Sequence, residues 1–312
     1  MDGSMRRVAS WIVAALTTLT IVGTAAPPAR AAFPGENGRI VFDTVWAFWN
    51  GRADASNIYS VQPDGSDLRQ LTDVKAGTWA WHPAVSPQAT RITYVVSADG
   101  KNDQVWLMHA DGSHQRRLVH EPGWSQSGPS FTANGRRVLY SRCGNYVAFY
   151  WSCRIVSVRL DGSGTRTIIG GTWHPSDPVM SPDGSRIAYV SDAGGYDARI
   201  WVADADGGHR TVLGPDFMER LSWSPDGTHL AYTAFRTDGV FTIATDGSDL
   251  QEILPSSIFG AWSPDGSMIV SKLIGSDEGF GPLHVTAADG NDPVPIVDVS
   301  YGVGYSDWGI AR

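Results

Sequence analysis

The chain has 312 residues, with 24 Lys and Arg against 32 Asp and Glu, and a formal net charge of −8. A mildly acidic chain without a basic run argues against nucleic acids and anionic membranes as its main partners. The length allows one large β domain or two ordinary ones.

The first 31 residues predict a cleavable signal peptide of the ordinary Sec type. Arg6 and Arg7 precede an apolar run from Val8 to Val22, and Ala29-Arg30-Ala31 offers a cleavage site. A retained membrane anchor is the alternative, but the apolar run is short for a membrane span. The sequence therefore predicts a secreted or extracytoplasmic protein with no stable anchor after cleavage and one domain over residues 32–312, which carries 21 Lys and Arg against 31 Asp and Glu.

A repeated unit fills the rest of the chain. It begins at a turn followed by a strand of β-branched and aromatic residues, and six copies of this turn and strand are present: PGENGRIVF (34–42), SPQATRITY (86–94), TANGRRVLY (132–140), SPDGSRIAY (181–189), SPDGTHLAY (224–232) and SPDGSMIVS (263–271). In the copy that starts at Ser181, Pro182 and Gly184 suit a type I turn.

A second turn marks the same units. An Asp-Gly pair follows an apolar strand at Asp64, Asp111, Asp161, Asp206, Asp246 and Asp289, in steps of 47, 50, 45, 40 and 43 residues. Periods of this length, with several short strands in each, predict a β-propeller rather than a helical solenoid. We therefore expect an all-β fold of six four-stranded antiparallel blades. In each blade, the strand that follows the Asp-Gly turn should form the outer rim.

The first unit lacks the strand that should precede its turn. The C-terminal segment GYSDWG (304–309) resembles the WSPDG segments of blades five and six. We expect residues 303–310 to supply the innermost strand of blade one, paired with Arg39 to Asp43, so that the C-terminal strand closes the ring.

The pattern SPDG…IAYVSD…IWVADADG resembles the TolB-like, WD-type β-propeller family. The resemblance covers the mature chain but only the propeller part of TolB, since the six units leave no residues for the N-terminal α/β domain of that protein. It implies a six-bladed ring used mainly to bind protein partners, although the same repeats also occur in peptidases and lyases.

Strand order predicts two different faces of the ring. The Ser-Pro-Asp-Gly and Asp-Gly turns share one face, which we name the turn face; the loops between the two middle strands and the segments leading to the innermost strands share the other, the loop face. Aromatic side chains collect on the loop face and suit sugars, peptides or protein hot spots. The residues predicted to bind a ligand there are Trp46, Trp49, Trp79, Trp124, Tyr146, Tyr150 and Trp151, with Arg220 beside the channel. Alternatively, some aromatic residues of this face, Trp81 and Trp173 in particular, pack between blades.

Cys143 and Cys153 are the only cysteines. In an exported chain such a pair predicts a disulfide that clamps the loop between them, with two buried free thiols as the alternative. Two cysteines are too few for a structural zinc site.

Histidines occupy matching places in two blades, in Trp81-His82-Pro83 and Trp173-His174-Pro175. With Glu219, His82 and His174 could hold a metal or act as acid and base; structural histidines inherited from the repeat, and an ion pair of Glu219 with Arg220, explain them as well.

The sequence contains no familiar catalytic motif. We therefore expect a monomeric, non-catalytic scaffold that binds an extracytoplasmic protein, peptide or glycan on its loop face, without cofactor or metal. The alternative is an extracellular polysaccharide lyase or hydrolase with its site at the mouth of the channel.

Overall fold

The computed structural model describes residues 34–44, 55–98, 101–144, 152–170, 174–192, 198–214, 218–234, 237–274, 281–297 and 302–312. Within these ranges the regular structure is β throughout, with 25 strands in six sheets. No helix of the described part has the length and hydropathy that a membrane crossing requires.

Each sheet is one blade. From the channel outward, the first three blades are formed by β25 (Val303–Ile310), β1 (Asn37–Thr44), β3 (Ile58–Val61) and β4 (Arg69–Gln70); by β5 (Thr78–Val85), β6 (Arg91–Ala98), β7 (Gln104–His109) and β8 (Arg116–Arg117); and by β9 (Ser125–Phe131), β10 (Arg137–Cys143), β11 (Cys153–Arg159) and β12 (Arg166–Ile169).

The other three blades repeat this order. They are formed by β13 (Ser176–Met180), β14 (Arg186–Ser191), β15 (Arg199–Asp204) and β16 (Thr211–Leu213); by β17 (Met218–Trp223), β18 (His229–Ala234), β19 (Gly239–Ala244) and β20 (Gln251–Pro255); and by β21 (Ser257–Trp262), β22 (Met268–Leu273), β23 (Leu283–Ala287) and β24 (Val294–Val297). The innermost strands contact one another in a closed cycle of β25, β5, β9, β13, β17, β21 and again β25. The predicted six-bladed propeller is confirmed.

The ring closes where the sequence predicts it. β25 pairs antiparallel with β1, with Ile40 opposite Trp308 and Val41 opposite Asp307. Trp308 is 3% exposed, and its indole Nε1 donates a hydrogen bond of 3.0 Å to the carbonyl of Gly38. The two ends of the chain are therefore joined by a backbone ladder and by a buried side chain.

The core is divided among the spaces between blades. Six hydrophobic clusters each join two adjacent blades. In β1, Ile40 and Phe42 face blade six, whereas Val41 between them faces blade two. Because successive side chains of a strand point to opposite faces, both must be apolar, which explains why the strands do not alternate with polar residues.

One pairing was not predicted. A short strand of blade one, β2 (Ala55–Ser56), pairs in parallel with β5 of blade two, so that the second sheet has five strands. Ser56 Oγ also donates a hydrogen bond of 3.1 Å to the carbonyl of Ala80. Blade one thus extends a strand across the boundary with its neighbour.

Candidate functional site

The innermost strands bulge at equivalent positions, four residues before the turn that follows. The register of each shifts there, and four of the six positions have a positive φ: His82 (59°), Gly128 (56°), Asp177 (48°) and Arg220 (59°). A β-bulge changes the direction in which a side chain points. Here it brings residues from different blades together in the channel.

Contacts across the ring demonstrate this convergence. His82 Nε2 of blade two lies 3.4 Å from Asp177 Oδ1 of blade four. The Arg220 guanidinium of blade five lies 4.1 Å from the ring centroid of Tyr305 in blade one. At the blade-three position, a Cβ on Gly128 would come within 2.6 Å of Asp177 Oδ1, so glycine makes room for that carboxylate.

His82 is held as a neutral imidazole. It is 5% exposed, and its ring stacks on Tyr305 at 4.4 Å between centroids. Burial, together with the charge of Arg220, lowers the pKa of His82 well below its usual value. The contact with Asp177 is therefore not an ion pair at neutral pH.

Asp43 at the end of β1 is the most deeply buried carboxyl group of this region. It is 1% exposed and its Oδ1 accepts a hydrogen bond of 3.1 Å from the His82 backbone N–H. Burial raises the pKa of Asp43 to about 7, against the opposing effect of Arg220 and, more weakly, of Lys272. Lys272 is 2% exposed, and burial lowers its pKa to about 8 while Asp43 opposes the shift.

Two further carboxyl groups line the same space. Burial raises the pKa of both Asp177 and Asp307, and Arg220 opposes the shift in each case. Asp307 Oδ2 accepts a hydrogen bond of 2.7 Å from the backbone N–H of Val85 in blade two. We name the whole set the channel cluster: Asp43, His82, Asp177, Arg220, Lys272, Tyr305 and Asp307.

A cavity of about 90 Å³ adjoins the channel cluster. The second halves of the innermost strands line it, which places it between the cluster and the turn face; its wall includes Ala84, Pro129, Val179, Ser222, Ala261 and Trp308. Among the described residues, His82 Nδ1 and Arg220 Nη2 are buried polar atoms that lack a hydrogen-bond partner. The site therefore combines a buried cation, three carboxyl groups with raised pKa values, of which that of Asp43 is about 7, and two buried polar atoms available to a ligand.

The loop face of blade three has a different character. The Arg142 guanidinium lies 4.1 Å from the Trp124 ring centroid, and Arg142 Nε lies 3.1 Å from Glu121 Oε2. A Cβ on Gly144, two residues after Arg142, would come within 2.8 Å of the Trp124 ring. Trp124 thus contacts the base of the hairpin loop through both residues.

A disulfide fixes the same loop base. Cys143 and Cys153 are bonded, and they are directly opposite in the ladder of β10 and β11. The predicted disulfide is present. It closes the loop at its last paired residues and adjoins the Trp124 contact.

The remaining predicted residues divide into three groups. Trp79 lies partly buried in β5, beside the β2 pairing, and Arg220 lies in the channel. His174 Nδ1 is 2.6 Å from Asp192 Oδ2 within its own blade, so it has a partner separate from those of His82; Glu219 is in β17. Five residues fall outside the described ranges: Trp46, Trp49, Tyr146, Tyr150 and Trp151.

Sequence reasoning missed Asp43, Asp177, Lys272 and Asp307. A signal was present for Asp177, because it occupies the same repeat position as His82, Arg220 and Tyr305. In the described part, no group of three or more His, Cys, Asp or Glu side chains is arranged to hold a metal ion.

Sequence comparison finds relatives that align with only part of this chain and part of their own length. No protein-family model matches the chain. It is 30% identical over 195 residues to the uncharacterized protein Atu1656 of Agrobacterium fabrum, a match that covers 58% of this chain and 62% of the relative. It is 28% identical over 219 residues to the TolB homolog of Chlorobium luteolum, covering 67% of this chain and 47% of that protein. The chain thus spans less than two thirds of these relatives.

Solved structures extend the likeness over most of the chain. TolB from Acinetobacter baumannii has a TM-score of 0.72 and 20% identity, covering 88% of this chain and 68% of that one. A chain of a nidogen/laminin complex has a TM-score of 0.67 and 9% sequence identity, covering 87% of this chain and 98% of that one. An oligogalacturonate lyase in complex with manganese has a TM-score of 0.55 and 16% sequence identity, covering 86% of this chain and 88% of the lyase chain.

Fold and neighbours together define the class as a six-bladed β-propeller. Within that class, the fold is similar to that of TolB from Acinetobacter baumannii, and the sequence is similar to that of a TolB homolog.

Proposed function

We propose that the protein is an extracytoplasmic, non-catalytic propeller that binds a protein or peptide on its loop face, at the surface formed by Trp124, Arg142 and the clamped loop of blade three. The observation that carries the proposal is the partly exposed Trp124, which contacts the Arg142 guanidinium and Gly144 at the base of a disulfide-bonded loop. Large rigid aromatic and arginine side chains are the residues that contribute most to protein interfaces. The disulfide also supports an oxidising compartment.

The structural neighbours also support a binding function over a catalytic one. The nidogen/laminin chain was solved in a complex of two proteins, and its TM-score of 0.67 exceeds the 0.55 of the lyase. The aromatic residues predicted for the loop itself, Tyr146, Tyr150 and Trp151, would extend the Trp124 surface, with Trp46 and Trp49 contributing from blade one.

The test compares two tryptophans. Partners captured by the exported wild-type protein from its host's extracytoplasmic fraction are identified, and their affinities are measured for Trp124→Ala and Trp106→Ala. Trp106 is partly buried in the middle of β7 and serves as the control. We expect Trp124→Ala to weaken binding by about 2 kcal/mol or more, as hot-spot residues do, and Trp106→Ala to leave it unchanged. Equal affinity of both variants, or capture of glycans alone, contradicts the proposal.

A second candidate function is cleavage of an acidic polysaccharide in the channel. It is favoured by the oligogalacturonate lyase neighbour and by Asp43, whose pKa of about 7 suits a general base at neutral pH. Purified protein is incubated with oligogalacturonates, with and without Mn²⁺, and formation of the unsaturated product is followed by ultraviolet absorbance. Turnover that is lost in Asp43→Asn would establish this function; no product under either condition removes it.

A further inference from the structure

The turn face is divided by charge. In blades two and three, six arginines lie in a turn or in the strand residue next to one: Arg91, Arg116, Arg136, Arg137, Arg159 and Arg166. In blades five and six, the turns of this face carry six aspartates: Asp226, Asp246, Asp249, Asp265, Asp289 and Asp292. We name these sets the arginine arc and the aspartate arc.

Few charges of the opposite sign interrupt either arc. The arginine arc contains Asp111 and Asp161, whereas no lysine or arginine lies in the described turns of the aspartate arc. Blades two and three also lack the aspartate of the Ser-Pro-Asp-Gly turn, because Gln88 and Asn134 take its place.

The arginines are not neutralised within the chain. Over the described ranges none of the six forms an ion pair. Instead they bond to neutral groups: the Arg116 guanidinium donates to the Leu160 carbonyl of the next blade, and Arg137 Nη2 donates to the Ser157 carbonyl at 2.9 Å. Partial burial and the charges of Arg166 and Arg159 lower the pKa of Arg137, so these side chains are close enough to repel one another.

Three of these aspartates, Asp226, Asp246 and Asp265, leave one carboxylate oxygen unused. Asp246 Oδ1 accepts hydrogen bonds of 2.9 Å and 2.6 Å from the backbone and side chain of Ser248, and these bonds lower the pKa of Asp246. Asp265 is bonded through Oδ1 in the same way. Since the bonds of Asp226, Asp246 and Asp265 use only Oδ1, their Oδ2 atoms remain available to a group outside the chain. By contrast, Asp289 Oδ2 accepts a hydrogen bond from Asn291, and Asp249 Oδ2 lies 3.3 Å from His229 Nε2.

The two arcs lie on opposite sides of the ring. In a ring of six, blades two and three are opposite blades five and six, and blades one and four separate them. The separating blades carry charges of both signs: in blade one Arg39 and Arg69 pair with Asp67 at 2.7 Å and 2.5 Å, and in blade four Arg186 and Arg210 lie at the turns that carry Asp183, Asp204 and Asp206. The turn face therefore has a positive side, a negative side and a nearly neutral line between them.

We propose that the turn face binds a second copy of this chain, face to face, about a two-fold axis that runs along the neutral line through blades one and four. A half-turn about this axis places blade two over blade six of the partner and blade three over blade five, so that each arginine arc meets an aspartate arc. Such an interface is self-complementary, as two-fold symmetry requires, and its opposed potentials fix its orientation.

The overall negative charge of each copy opposes association, but only at long range. At physiological ionic strength charges are screened beyond about 8 Å, whereas facing side chains lie within that distance. The proposal replaces the monomer expected from sequence. It does not depend on the proposed function, because ligand binding was assigned to the loop face.

The test uses charge reversal with complementation. One variant carries Arg116→Glu and Arg166→Glu; another carries Asp249→Lys and Asp292→Lys; a control carries Arg154→Glu and Arg199→Glu, at exposed arginines near the loop face. Sedimentation velocity of the full exported protein measures the dimer dissociation constant at about 0.05 M and 0.5 M salt.

We expect a wild-type dimer that is weakened by salt, at least about tenfold weaker dimers of the two turn-face variants, and an unchanged control. An equimolar mixture of the two turn-face variants should restore a dimer, because every facing pair is again of opposite charge. A monomeric wild type at about 100 µM, or a mixture that remains monomeric, overturns the proposal, as does an equal loss in the control. Circular dichroism of each variant separates loss of association from loss of folding.

Discussion

The channel cluster and the turn face contain the same kinds of side chain in opposite circumstances. In the channel, Asp43, His82 and Arg220 are buried, contact groups from other blades and have shifted pKa values. On the turn face, Arg166 and Asp249 are exposed and belong to arcs of like charge. Because burying a charge costs free energy unless it is compensated, the interior charges must satisfy one another, whereas the exposed charges can serve a partner.

The largest difference between the two regions should appear when a cation is removed. Arg220→Met leaves Asp43, Asp177 and Asp307 without their shared guanidinium, and we expect it to lower the free energy of unfolding by about 2–4 kcal/mol. Arg199→Met, at an exposed position of β15, should change it by less than about 0.5 kcal/mol. Urea unfolding of both variants measures this; equal effects would show that Arg220 does not hold the cluster together.

A smaller effect is expected where a glycine makes room for the cluster. Gly128→Ala places a Cβ within 2.6 Å of Asp177 Oδ1 at a φ of 56°, and should cost about 1–3 kcal/mol. Gly123→Ala is the matched control, since its φ is 82° but nothing lies within 4 Å of the added Cβ. The excess loss of stability in Gly128→Ala over the control measures the crowding in the channel, and no excess would contradict it.

The channel should also make stability depend on pH near neutrality. The folded pKa of Asp43 is about 7, above the ordinary value of 3.8, so the folded protein binds a proton that the unfolded chain does not. Stability should therefore fall as pH rises through 7. Lys272, with a folded pKa of about 8, acts in the opposite sense and becomes important only above that pH.

The expected loss between pH 6 and pH 8 is about 1 kcal/mol. Unfolding titrations across this range measure it. Asp43→Asn should flatten the dependence; a slope that persists in this variant would assign the titration to another group.

The smallest effect is expected on the turn face. Asp226→Asn removes an exposed charge but keeps a side-chain oxygen that can accept the bonds of 2.9 Å and 2.7 Å from Thr228, so stability should change by less than about 0.5 kcal/mol. Asp226→Ala loses those bonds and should cost about 1 kcal/mol. Thermal unfolding of the pair decides whether the turn depends on the hydrogen bonds or on the charge.

Much of the fold could be predicted because the repeat encodes it locally. Ser-Pro-Asp-Gly and Asp-Gly turns fix the ends of the strands, and the likeness of residues 304–309 to the blade-five segment places the closing strand. The β2 pairing could not be foreseen, since two residues in a variable loop carry no strand pattern.

The channel cluster was only partly predictable for a different reason. His82 and Arg220 were singled out as candidates near the channel, but His82 was grouped with His174 and Glu219 rather than with the carboxyl group that it contacts. Their positive φ values turn them into the channel, and histidine or arginine in a strand gives no sign of such a backbone conformation. Asp43 and Asp307 meet the others only because the ring closes. The division of the turn face by charge was not predicted, because Gln88 and Asn134 are compatible with the turn and their effect on charge emerges only when blades are compared around the ring.

Closure by β25 also has a consequence for the order in which the molecule is made. Blade one cannot be completed until Val303–Ile310 has left the ribosome, although β1 is among the first segments to appear. Until then β1 presents an unpaired edge, and the buried place of Trp308 is open. If the chain is threaded through a membrane, as its first 31 residues predict, blades two to six can pair their own strands during transfer, but the ring can close only after the last residues have crossed.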